Sequence, residues 1–306
     1  MPQNKPTLQF WLLLSFLAFI WGGAFFLAKL SVSEVPPILL VFFRVSIAGV
    51  CLWMIVALRG SALGLTLAIL PNFLVLGMLN NVIPFGLLFW GQQSIGAGLA
   101  SVLNAFTPVF TMVLAQLFTS NEKLTPLKLG AAFLGVLGVA VMTGVDAFTG
   151  SSDTVLPQLA CLGAALSYAT AFIFIRRMAN VPPLTLAIGQ LTSSTLILLP
   201  IVLLGGDIAV ATNISWEIWG AIAALAVIST ALAYLIFFRL ISMGGSTNTS
   251  LVTFLVPVSA ILLGTAFLDE RLALNQWTGI ALIMLALLLI DGRIVDFLRT
   301  RVLRQS

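Results

Sequence analysis

Apolar runs long enough to cross a bilayer recur along this chain from residue 8 to residue 290, and the stretches between them are too short to fold by themselves. A helix needs about 20 apolar residues to cross the roughly 30 Å of hydrocarbon in a membrane. Backbone polar groups find no water there, so they must be satisfied within a helix or a closed barrel, and runs of this length predict helices. Taking Gly, Pro and charge as punctuation places ten of them near residues 9–29, 38–58, 68–91, 97–118, 126–145, 156–176, 184–204, 216–238, 246–267 and 276–290. Composition agrees: with 60% hydrophobic and 8% charged residues, a chain of 306 lacks the polar surface of a water-soluble globule. The expected fold class is an all-α membrane protein. The first run, behind Lys5, is too long for a signal peptide and is followed by further spans, so an uncleaved helix is expected.

Positive charge resists translocation, and its distribution orients the spans. With a cytoplasmic N-terminus, the cytoplasmic side receives Lys5, Arg59, Lys123, Lys128, Arg176, Arg177, Arg239, Arg293, Arg299, Arg301 and Arg304. Only Lys29 and Arg271 fall outside, and Arg44 lies within a span. An even number of spans then returns the C-terminus to the cytoplasm. Orientation accounts for these cations at span ends better than nucleic-acid binding does, and no nucleic-acid partner is expected.

Several chemistries lack their residues. The chain has no His, and its two Cys, Cys51 and Cys161, stand alone in apolar runs, so neither a metal site nor a disulfide framework is indicated. No nucleophile stands with a base, so no catalytic residue is assigned and an enzyme is not expected. No cofactor is expected either. No Asp or Glu falls in the middle of a span, which removes the usual side chains of a proton relay.

The two halves repeat. An offset of 149 lays Gly96-Ala97-Gly98 and Pro108 over Gly245-Ser246-Thr247 and Pro257, with Ser101 on Ser250 and Asn104 on Thr253. Asn121-Glu122-Lys123-Leu124 matches Asp269-Glu270-Arg271-Leu272 after a one-residue slip, and Pro36-Pro37 matches Pro182-Pro183 at 146. Each half, 1–148 and 149–306, holds five spans. An odd number makes the pair inverted, with its junction near residues 146–155, and inverted pairs are typical of alternating-access carriers.

The Trp21-Gly22-Gly23-Ala24-Phe25-Phe26 stretch, the Phe43-Arg44 step, the Gly-rich entry to Pro108 and the Glu122-Lys123-Leu124 turn resemble the EamA-type transporters of the drug/metabolite transporter superfamily. The resemblance covers both halves. It implies a ten-helix carrier with spans 1, 3, 4, 6, 8 and 9 around a central cavity and an export role for amino acids or similar metabolites.

An unpaired polar group in hydrocarbon costs several kcal/mol, about 2 or more, so polar side chains inside spans mark a protein interface or a watery pathway. Asn80 and Asn81 precede Pro84 in the third span, and the offset puts Ser229 and Thr230 at the equivalent place in the eighth, with Tyr234 over Phe85. Ser101, Asn104 and Thr107, and Ser250 and Thr253, precede Pro108 and Pro257. Proline frees a carbonyl one turn earlier, which offers a kink and an acceptor at mid-membrane. Trp21 and Tyr168 fall near equivalent points of spans 1 and 6 and suit an apolar wall with a polar handle. Solute contact is therefore expected from Trp21, Asn80, Asn81, Ser101, Asn104, Tyr168, Ser229, Tyr234, Ser250 and Thr253. For Ser229, Ser250 and Thr253, bonding to their own helix is the competing reading. Arg44, matched by Gln190 in the second half, is expected as an ion pair or carbonyl cap, with a carboxylate grip as the alternative. Pro84, Pro108 and Pro257 complete the structural or gating set, and Gly130, Gly135 and Gly138 are expected to let helices approach closely.

The expected function is export of small organic metabolites across an inner membrane, with neutral or aromatic amino acids first, by a monomer or alternatively a dimer whose partners are the solute and lipid. A nucleotide-sugar or sugar-phosphate antiporter, a multidrug exporter, and a channel or transporter-like sensor are the alternatives.

Overall fold

A computed structural model describes residues 7–60, 63, 67–118, 125–143, 155–205, 207–267 and 274–291. All secondary structure among them is helical: α1 Leu8–Ser31, α2 Pro37–Arg59, α3 Leu70–Gly77, α4 Ile83–Ser94, α5 Ala97–Asn104, α6 Thr107–Phe118, α7 Pro126–Thr143, α8 Val155–Phe174, α9 Pro183–Gly205, α10 Trp216–Ala226, α11 Ala233–Ser250, α12 Val252–Phe267 and α13 Leu274–Asp291. The Asn121–Leu124 and Asp269–Leu272 turns, residues 146–154 of the expected junction, and Lys5, Arg293, Arg299, Arg301 and Arg304 lie outside the described residues.

Among the described residues, seven helical stretches are long and apolar enough to cross a membrane: Leu8–Ser31, Pro37–Leu58, Leu70–Ser94, Ala97–Phe118, Val155–Met178, Pro183–Gly205 and Trp216–Ser250. Two shorter apolar helices, Pro126–Val141 and Trp277–Ile290, accompany them. Helical hydrogen bonding runs along Trp216–Ser250, but at Gly245 the backbone turns to φ 78° and ψ 166°, a region open to Gly, so two helices meet there across a kink, near the boundary expected between the runs at 216–238 and 246–267.

Local chemistry sets the ends. The Thr7 hydroxyl accepts from the Phe10 N–H and the Ser215 hydroxyl from the Ile218 N–H, each capping the helix that follows. Pro37 stands at the start of α2, where its missing N–H costs nothing, and Gly60 ends that helix at φ 61°.

The largest interhelical contacts cross between the halves: α7 with α13, α4 with α8, α1 with α12, and α2 with α9. The core is thus the seam between repeats. Gly138 lets α7 meet α13; a Cβ there would stand 2.9 Å from the Gly279 carbonyl oxygen, and one at Gly135 would stand 2.8 Å from the Phe254 ring. Gly130 faces open space, so the expected close packing applies to two of the three glycines. Leu12, Phe16, Phe26, Leu117 and Leu204 are exposed on the outside, as a lipid-facing surface requires. Trp53, Trp216 and Trp277 are exposed as well, whereas Trp219 packs on Phe43 at 5.1 Å.

Candidate functional site

Two wide turns organise the centre. Between α3 and α4, residues Met78–Val82 form a π turn, and between α10 and α11, Val227–Leu232 form another. Their starts are separated by the same 149 positions that relate the halves. A π turn takes one extra residue per turn and so exposes backbone groups that an α-helix would use internally.

Each turn is held by the other half. Arg44 of α2 donates from Nε to the Thr230 hydroxyl at 2.7 Å and from Nη2 to the Ser229 carbonyl at 3.3 Å, and its guanidinium lies 3.9 Å from the Phe85 ring centroid. Gln190 of α9, its counterpart, accepts from Asn80 Nδ2 at 3.0 Å. Asn81 Nδ2 donates to the Ser194 hydroxyl at 2.8 Å, and the Tyr234 hydroxyl donates to Asn81 Oδ1. Arg44 is therefore a carbonyl cap, and among the described residues no carboxylate pairs with it. The Gln190 Nε2 group is buried without a hydrogen-bond partner.

Beside these turns lies an open cavity whose roughly 700 Å³ of empty space includes open solvent. Its apolar wall comes from Trp21 and Phe25 on α1, Phe85 and Phe89 on α4, Phe172 on α8 and Phe237 on α11. Phe237 sits 5.6 Å from Trp21 and 5.4 Å from Phe172, centroid to centroid, so the rings form one continuous surface. Polar groups on the wall are Arg44, Asn80, Gln92, Asn104, Thr107, Tyr168, Tyr234 and Thr253.

Six of the ten residues expected at the solute therefore meet at one cavity: Trp21, Asn80, Asn104, Tyr168, Tyr234 and Thr253. Asn81 is withdrawn into the Ser194–Tyr234 linkage. The Ser101 and Ser250 hydroxyls donate to the carbonyls of Gly98 and Thr247 at 2.7 Å, which satisfies them within their own helices. Ser229 takes part through its carbonyl, which accepts from Trp21 Nε1 at 3.1 Å and from Arg44. The carbonyl of Asn104, one turn before Pro108, accepts from the Thr107 hydroxyl at 2.7 Å and is already occupied. Pro84, Pro108, Gln190 and Pro257 lie off the wall. The aromatic residues Phe25, Phe89, Phe172 and Phe237 and the amide Gln92 were not anticipated. The offset of 147 that pairs Trp21 with Tyr168 also pairs Phe25 with Phe172, and it was the available signal.

The cavity is off-centre. It reaches Ala28 and Gln92, near the C-terminal ends of α1 and α4. Their counterparts in the second half, Ile175 and Ile241, are not on its wall. A cation clasps a helix break at each end. Lys29 donates to the Gln92 carbonyl just before the α4–α5 break, while Arg176 donates to the Ser246 and Thr247 hydroxyls, both at 2.9 Å, just after Gly245. Glu34, five residues after Lys29, has a different partner: it accepts from the Ser215 N–H at 2.8 Å and hydroxyl at 2.9 Å.

The EamA-like transporter family model matches this chain twice, at residues 9–144 and 156–291. The chain belongs to the EamA-like transporter family. It is a multi-pass membrane transporter, and its relatives bear transporter names. The transporter YvbV of Bacillus subtilis strain 168, named as uncharacterized, is 29% identical over 294 residues, covering 95% of this chain and 94% of that one. The inner membrane transporter YedA of Escherichia coli K12, also named as uncharacterized, is 25% identical over 277 residues, with 90% and 88% covered. Protein PecM of Dickeya dadantii strain 3937 is 26% identical over 279 residues, with 89% of each chain covered. A solved crystal structure at 18% identity shares the fold, with a TM-score of 0.71 over 92% of this EamA-family chain and 96% of the other.

Proposed function

We propose that this EamA-family protein is an inner-membrane carrier that exports small organic metabolites, with neutral or aromatic amino acids and related amphipathic compounds first among them. In this reading ten spans form two inverted five-span units, 1–148 and 149–306, both chain ends face the cytoplasm, and the units rock about a shared site. The observation that carries it is the cavity at their seam, whose wall combines aromatic rings from both halves with amides, hydroxyls and a single cation. Such a lining suits a solute with an apolar body and few charges. A sugar phosphate would call for several cations, and among the described residues Arg44 is the one cation on the wall.

The matched clasps support alternating access. Lys29 and Arg176 are 147 positions apart and each fastens a helix break at an opposite end, as gates exchanged by an inverted repeat would. Under the orientation from positive charge, the cavity leans toward the outer face. Among the described residues no acidic side chain lines the cavity, and the chain has no His, so transport follows the solute's own gradient.

The test is counterflow of labelled solutes in proteoliposomes with and without an imposed pH gradient. The reading expects exchange that saturates and that changes less than about twofold with the gradient, within about 0.4 kcal/mol at 1.4 kcal/mol per tenfold. Strong accumulation driven by the pH gradient would overturn the uncoupled mechanism, and non-saturable flux would indicate a channel.

A further inference from the structure

Away from the cavity wall, Gln190 holds a donor with nothing to bind. The residue is 0% exposed; its Oε1 accepts from Asn80 Nδ2 at 3.0 Å, and its Nε2 is buried without a hydrogen-bond partner. Contacts beside it are tight: a Cβ at Gly77 would stand 3.0 Å from the Gln190 carbonyl oxygen, and one at Gly189 would stand 2.4 Å from the Phe73 ring. Neither solute nor water reaches Nε2, and an unmatched buried donor destabilises the arrangement that holds it. A partner has to come from the protein itself, by movement.

The repeat names that partner. Arg44, the counterpart of Gln190, donates to the Ser229 carbonyl and the Thr230 hydroxyl of the second wide turn. Set back by 149, those positions are Asn80 and Asn81 of the first wide turn. Two acceptors there are reached by one side chain: the Tyr234 hydroxyl donates to Asn81 Oδ1 and stands 3.5 Å from the Asn80 carbonyl. The residue matching Tyr234 in the first half is Phe85, which has no hydroxyl, so Arg44 meets no such rival on the second turn. Inverted halves exchange their postures as a carrier turns from one face to the other. We propose that Tyr234 and Gln190 are alternative donors to the first wide turn. Tyr234 holds it in this state; Gln190 Nε2 takes the same acceptors in the opposite-facing state, and the Tyr234 hydroxyl lets go. This rests on the carrier reading and gives its two states a switch. Each state then leaves one donor off the turn, which keeps the two close in free energy, as a carrier that populates both requires.

The experiment reads the two states from both faces of the membrane. In a background without Cys51 and Cys161, Phe25→Cys on the cavity wall is labelled by a membrane-impermeant maleimide applied to either face of sealed, uniformly oriented proteoliposomes. The ratio of labelling from the Lys29 side to labelling from the Arg176 side reports the equilibrium. Gln190→Met removes the waiting donor at similar volume and should raise that ratio by about fivefold or more. Tyr234→Phe removes the present donor and should lower it by about the same factor. The double variant should return to within about threefold of wild type, because the turn then lacks its donor in both states. A ratio in folded Gln190→Met within about twofold of wild type overturns the switch, as do shifts of the same sign in the two single variants, which a purely structural role in α9 packing would produce. A wild-type structure opened at the Arg176 end with Tyr234 still donating to Asn81 overturns it without any variant. Saturable wild-type counterflow beside an unmoved ratio in the variants removes the switch and leaves the carrier standing. Wild type that is labelled from one face alone and exchanges no solute removes both.

Discussion

Asn81 and Asn104 are both buried amides expected at the solute, yet the structure gives them opposite surroundings. Asn81 links the Ser194 and Tyr234 hydroxyls, so Asn81→Ala removes both bonds, leaves Ser194 its bond to the Gln190 carbonyl at 2.7 Å, and should cost about 1–2 kcal/mol. Asn104 Oδ1 has no partner to lose, and Asn104→Ala should change stability by less than about 1 kcal/mol while it impairs solute binding. Thermal unfolding in detergent beside a binding assay checks the contrast, and equal destabilisation would remove it. The sequence revealed that both amides lie at mid-membrane because their depth follows from counting residues. It did not reveal which way they point. Asn80 and Asn81 sit in the π turn, and its extra residue shifts the helical phase by roughly 100° beyond what α-helical counting assigns. Ser101 and Ser250 escaped for a different reason, since a Ser hydroxyl can satisfy itself on its own helix wherever that helix faces.

Among elements, the repeat offset located features that residue types alone did not. A proline follows the first π turn, at Pro84, but Ala233 stands at the matching position after the second, and both turns form. Their common cause is the grip of the opposite half's second span, through Arg44 on one turn and Gln190 on the other. Thr230→Val removes the Nε acceptor of Arg44, and it should destabilise the fold by about 1–3 kcal/mol, read from unfolding in detergent. The helix α7 supplies a steric comparison on one helix. Gly138→Ala drives a methyl group against α13 and should cost about 1–3 kcal/mol, whereas Gly130→Ala meets open space and should be neutral or slightly stabilising. Equal unfolding temperatures for the two variants would contradict the α7–α13 packing. Sequence alone treated these glycines alike, because composition records a small residue and not what stands opposite it.

For the molecule as a whole, the matched clasps predict reciprocal behaviour of the two ends. In a background without Cys51 and Cys161, cysteines at Phe25 and Phe172 report the two halves of the aromatic wall. Arg176→Ala should increase maleimide labelling at Phe172→Cys and decrease it at Phe25→Cys, and Lys29→Ala should do the reverse. Labelling that rises at both probes would indicate general loosening instead of exchange between two states. The apolar runs, the paired halves and the family were all readable from the chain, since they depend on length, periodicity and offset. The off-centre position of the cavity was not, because two halves that match the same family model carry no sign of which end the cavity reaches in a given state.

The chain contains two tyrosines, Tyr168 and Tyr234, and both stand on the cavity wall. Biosynthetic incorporation of 3-fluorotyrosine therefore yields a fluorine spectrum in which every resonance arises from the chamber, with no background from the rest of the molecule. Occupancy, exchange between states and competition among candidate compounds become observable in the intact transporter without engineering a single position.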